Sequence, residues 1–182
     1  MPILGIMASQ ISGHLWAPEG AYDSLATVTL SASAASVTFT GIPSTYKHLQ
    51  VRALLKTTTA TGGSAATGIT VNGNAMARYH YLYGDGSTVL AGGSTGSGVN
   101  NTANANPAST FSVMILDVLD YANTSKNKTF RALGGYDANG SGELALYSNL
   151  YLNNTDAITS LQFSLSAGSY AQYSSFALYG VK

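Results

Sequence analysis

The sequence contains no cysteine in 182 residues, which removes any disulfide framework and any cysteine-based zinc site. Charge is nearly as scarce. Only 9% of residues are charged, against roughly 25% in ordinary soluble domains. Eight basic side chains balance eight acidic ones, so the formal net charge is zero. A free nucleic-acid binder needs a basic excess, because neutralising phosphates supplies most of its affinity, so no nucleic-acid partner is expected. No stretch reaches the ~18–20 apolar residues that cross a bilayer, so no membrane partner is expected either. The apolar N-terminus lacks the basic leading region of a signal peptide, and Gly5, Ser9, Gln10 and Ser12 interrupt it.

Hydrophobic residues make up 45% of the chain, too many for disorder driven by charge. The length suits one domain that buries its own core. Tyrosine dominates the aromatics, 12 against 5 Phe and 1 Trp. A ring with a polar tip suits surfaces that become covered by something else. With so little charge there is also little repulsion between copies, and association is favoured.

Alternation with period two runs through the chain after residue 23, which places successive side chains on opposite faces of strands. Strands are expected over 24–31, 36–40, 47–57, 78–83, 110–119, 128–134, 143–152, 158–166 and 174–181, with a short edge strand at 68–71. Leu49, Val51, Ala53 and Leu55 share one face; Phe176 and Leu178 share another. In 143–152, Leu144, Leu146, Leu150 and Leu152 align, with Ala145, Tyr147, Asn149 and Tyr151 behind them. The run 110–119 is the most apolar and is expected at the centre of a sheet. Turn residues fall between strands: GDGS at 84–87, NGN at 72–74 and NGSG at 139–142. Many short strands with Gly-rich turns and no long helical period predict an all-β antiparallel sandwich, jelly-roll-like.

Three segments stand apart. Residues 1–22 form an expected anchoring arm ahead of a sandwich domain at 23–182. It carries Ile3, Leu4, Ile6, Met7, Ile11, Leu15 and Trp16, which suit either docking on a partner or completing the chain's own core. Residues 58–67 and 91–109 are nearly uncharged and low in complexity, and read as long loops.

Chemistry-bearing patterns are few. Asp137, Asn139 and Ser141, with Gly142 next, resemble the start of a calcium loop. The place of the bidentate Glu holds Ser148, so a plain turn is the better reading and no metal is expected. His14, His48 and His80 are scattered. Asp117 and Asp120 could form an acid–base pair only if the strand ended between them. The plainer reading pairs Asp117 with a basic neighbour and gives Asp120 to a turn. Neither a nucleophile elbow nor a phosphate loop occurs. Tyr79, Tyr81 and Tyr83 share a strand face and suit a subunit contact, packing against an adjacent loop, or a stacked glycan.

Several segments carry a resemblance: LGIMASQISGHL, SVTFTGIPSTYKHLQVRALLKT, YHYLYGDGS, DVLDYANTSKNKTFRALGGYD and AQYSSFALYGVK. They are similar to small β-rich virion structural proteins of tailed bacteriophages, head decoration or tail and fibre components. The resemblance covers most of the chain and fails mainly in the two low-complexity stretches. It implies a structural part of a virion assembled in the host cytoplasm, with no catalytic residue and no cofactor. The expected partners are further copies of the chain, a trimer among the arrangements, and other capsid or tail proteins. A host-receptor module binding a surface glycan is the alternative.

Overall fold

The computed structural model describes residues 20–59, 64–103, 109–137, 142–151 and 154–182. Among these there is no helix. The strands, in chain order, are β1 (Tyr22–Thr29), β2 (Ser36–Phe39), β3 (His48–Leu55), β4 (Ser64–Val71), β5 (Asn74–Ala75), β6 (Arg78–Gly84) and β7 (Val89–Thr95). They continue with β8 (Gly98–Ala103), β9 (Ser112–Val118), β10 (Lys128–Asp137), β11 (Gly142–Tyr151), β12 (Leu161–Leu165) and β13 (Ser175–Val181).

Two antiparallel sheets face each other as a β-sandwich. The larger runs β1-β13-β3-β9-β10-β11-β6-β7; the smaller runs β2-β12-β4-β5, with β8 also paired to β4. Eight of these strands reproduce jelly-roll wrapping. The first, last, third and sixth of the eight (β1, β13, β3, β9) make one sheet, and the second, seventh, fourth and fifth (β2, β12, β4, β8) make the other. The remaining five are insertions. β5–β7 lie between the fourth and fifth framework strands, and β10–β11 between the sixth and seventh. In space, β10, β11, β6 and β7 extend the large sheet beyond β9, which therefore sits in its interior.

Alternation decides what each face holds. Leu49, Val51, Ala53 and Leu55 of β3 are buried, as are Met114, Leu116 and Val118 of β9. Opposite them lie Val37 and Phe39 of β2, Ile69 and Val71 of β4, and Leu161 and Phe163 of β12. Phe163 and Phe176 meet across the two sheets with ring centroids 5.6 Å apart. Each of these large side chains contributes about 1.5–3 kcal/mol through removal from water.

Turns follow the residues that tolerate them. Asn72 (φ 48°) and Gly73 (φ 79°) link β4 to β5. The Asn72 Oδ1 accepts the backbone N–H groups of Thr159 (2.9 Å) and Ser160 (3.1 Å), tying that turn to the approach of β12. Gly86 (φ 90°) makes the β6–β7 turn.

Three expectations are corrected. Residues 68–71 belong to an interior strand: β4 has β12 on one side and β5 and β8 on the other. Its small residues, Ala65, Ala66 and Gly68, hide the alternation. The stretch 91–109 is not one long loop, because β7 and β8 take most of it and Val99 and Asn100 are fully buried. The stretch 58–67 is likewise tied down at both ends. The Thr58 N–H donates to Ser169 O at 2.8 Å, and 64–67 belong to β4. The sequence left open which row of 143–152 is buried: Leu144, Leu146 and Leu150 point to solvent, Ala145, Tyr147, Asn149 and Tyr151 are buried, and Leu152 lies outside the described residues.

Candidate functional site

The three tyrosines of β6 point toward the interior of the sandwich and are each about half-buried. They form a ladder. Tyr79 and Tyr81 have centroids 6.1 Å apart, and Tyr81 stacks on Tyr83 at 5.7 Å. Tyr147, one strand over on β11, lies 6.0 Å from Tyr79 and 6.3 Å from Tyr81. Burial raises the Tyr147 phenol well above its ordinary value, with the nearby Glu143 carboxylate adding to the effect. A cavity of about 190 Å³ runs beside the ladder, lined by Tyr79, Tyr81, Tyr83, Tyr147, Ala66 and Gly98.

The glycines of the low-complexity stretch are the counterpart of these rings. A Cβ at Gly92 would sit 2.7 Å from the Tyr81 Oη, and one at Gly98 would sit 3.4 Å from the Tyr79 ring. Larger residues there would lift the tyrosines off the sheet. The composition of 91–98 is thus that of a strand and turn packed under aromatic rings.

At the far end of β6, β10 and β11 a cavity of about 480 Å³ is lined by Asp85, Asp137 and Glu143 among others. Asp137, the first residue of the calcium-like string, is on its wall; Asn139 and Ser141 lie outside the described residues. Asp85 is occupied by its own turn: its Oδ1 accepts from Ser87 N–H (2.9 Å), Ser87 Oγ (2.9 Å) and Thr88 N–H (2.7 Å). Those bonds, led by the Ser87 amide, hold the carboxyl below its usual range. Among the described residues no group of three or more His, Asp or Glu is placed to hold a metal ion.

Asp117 and Asp120 have separate partners. Asp117 accepts from Gln50 Nε2 at 2.8 Å and from Arg131 Nη2 at 3.2 Å. β9 ends at Val118, and Asp120 (φ 48°) starts the turn that follows, its carbonyl accepting from Asn123 N–H at 3.0 Å. Its carboxylate binds Lys126, chiefly by a hydrogen bond that lowers its pKa, and lies 3.4 Å from His48 Nδ1. His80 lies over Gly93 of β7. His14 and the seven apolar residues of the arm, Ile3 to Trp16, lie outside the described residues.

Two features escaped sequence reasoning. The first is Lys128, whose side chain has no exposed surface. Its ammonium donates to the backbone carbonyls of Asn123, Lys126 (3.1 Å) and Thr155 (2.8 Å). A lone lysine at a strand start gives no sign of this in the sequence. The second is the outward face of the extended sheet. There Ile115, Leu133, Leu146 and Leu82 are successive cross-strand partners and are all exposed. The signal was in the sequence, in the leucine row of 143–152, but alternation does not say which row faces water.

No family model matches the chain, and no curated protein matches it. A solved structure of a protein of unknown function from Shewanella oneidensis MR-1 is similar at 14% identity with a TM-score of 0.23, covering 89% of this chain and 76% of that one.

Proposed function

We propose that the protein is a non-enzymatic structural component of a tailed-phage virion, displayed on the particle surface as a head decoration or a fibre or tail appendage. The observation that carries the reading is the apolar outer face of the large sheet. A chain that is 45% hydrophobic and 9% charged has built one sandwich core and still presents rows of leucine to water. That is the surface of a part made to be covered in an assembly. The segments that resemble phage virion proteins support it, because they supply β2, β3, β6, β10 and β13, four strands of the large sheet and one of the smaller. The residues of the arm, Ile3 to Trp16, then serve as its anchor on the particle. The tyrosine ladder is turned inward and packed against Tyr147, which favours packing over a sugar platform.

The test is to locate the protein in intact particles by electron microscopy and to delete residues 2–16. The truncated chain is expected to keep the far-ultraviolet spectrum of a β-sandwich and to be missing from particles. Truncated protein that still assembles would remove the anchor, and particles lacking the wild-type protein altogether would remove the reading.

A further inference from the structure

Two adjacent rows of the large sheet's outer face are apolar. The first is Ile115, Leu133, Leu146 and Leu82, each the direct partner of the next across β9, β10, β11 and β6. In the second, Leu54 on β3 partners Val113 on β9, while Leu144 on β11 and Val89 on β7 flank Gly84 of β6. All eight side chains are between 42% and 75% exposed. Gly135, which partners both Val113 and Leu144, interrupts the second row. It opens a concavity of about 460 Å³ between Phe111, Val113, Leu133 and Leu144. Polar residues close the first row at Arg52 of β3, the partner of Ile115, and fill the next row, where Asp117, Arg131, Ser148 and His80 are cross-strand partners.

We propose that a second copy of this chain sits on this face, the two large sheets packing outer face to outer face across a twofold axis. The area argues for it. Eight large side chains about half exposed present roughly 700 Å², close to the ~800 Å² that each partner contributes to a stable interface. It also exceeds the ~300–600 Å² of the largest patch on a typical monomer. The shape argues for it too. Sheet faces stack ~10 Å apart through interdigitated side chains, and a twofold needs one patch that complements itself. The charges nearest the eight side chains are Arg52, which ends the first row on β3 with its guanidinium over the Tyr22 and Tyr179 rings, and Asp137 and Glu143 on the wall of the concavity; the eight apolar side chains themselves bring no like charges together. The Asp117–Arg131 pair, carrying both signs, falls at the rim. A second copy here uses the face that also carries the particle reading, but the test below concerns the purified chain alone and does not depend on a particle.

The test is sedimentation velocity of the purified full-length chain over a range of concentrations. A dimer, or a multiple of it, is expected. Replacing Leu133 and Leu146 together by Lys is expected to weaken association at least 100-fold while the melting transition stays cooperative. The same pair changed to Thr serves as a second variant that keeps β propensity, should the lysines disturb the fold. Deleting residues 2–16 is expected to leave association unchanged. A monomeric wild type overturns the proposal, as does association that survives both double variants. Association lost on deleting 2–16 also overturns it, by assigning the contact to the arm.

Discussion

Lys128 shows how much one side chain holds in this molecule. Its charge is fully buried, and burial depresses its pKa from the ordinary lysine value. What offsets the desolvation is three carbonyls from two chain segments, Asn123 and Lys126 on one and Thr155 on the other. The ammonium therefore clamps the turn after β9 to the segment after β11. Lys128→Met keeps the stem but leaves those carbonyls without their donor. The expected loss is about 2–3 kcal/mol, read as a fall in Tm of roughly 4–12 °C. A Tm within the scatter of wild type would mean that water replaces the ammonium at no cost. Asn100 is the opposite case, a buried amide with no hydrogen-bond partner for either polar atom among the described residues.

β8 is the element on which the sheet extension depends. It pairs with β4 in the small sheet and packs across β10 and β11 of the large one. Close approach is allowed by Gly134, where a Cβ would come within 1.8 Å of Asn100 Oδ1 and 2.8 Å of the Val113 carbonyl. Gly134→Ala is therefore expected to push β8 off β10 and to cost about 1–3 kcal/mol, measured by urea denaturation. An unchanged midpoint would show that β8 is not seated there. Sequence reasoning found the framework strands because residues such as Leu49, Val51 and Phe163 alternate strongly with polar neighbours. It lost β7 and β8 because Gly92, Gly93 and Gly98 have no side chain to alternate and are set by rings on β6. It placed Tyr79, Tyr81 and Tyr83 on one face but had no means of seeing that the face is internal. Three half-buried rings satisfy one another with partners supplied from β11, far along the chain. The leucines of β11 mislead in the other direction, since their outward position is legible only once both sheets are in place.

At the scale of the whole molecule, stability against acid rests on turn carboxylates. Asp85 is held below the ordinary carboxylate range by its bonds to the Ser87 and Thr88 amides, and Asp120 by its bond to Lys126. A carboxyl whose folded pKa lies below its unfolded value, near 3.9, gives its full contribution above that value and loses it as the pH falls through the folded pKa. The contribution of these carboxylates to Tm should thus be flat above about pH 5 and decline below about pH 4. Asp85→Asn together with Asp120→Asn should flatten that decline; an identical slope in the double variant would place the acid sensitivity elsewhere. The jelly-roll wrapping carries a further consequence, in time rather than in space. β13 lies between β1 and β3, and the Lys182 N–H donates to Ala21 O at 3.2 Å. Two strands near the start of the chain therefore wait for one near its end. Until β13 has been made, β1 and the facing edge of β3 stay open, so the large sheet is incomplete while every other strand of the sandwich is already present. Closure of the large sheet is therefore timed by the emergence of β13, not by that of the strands it joins.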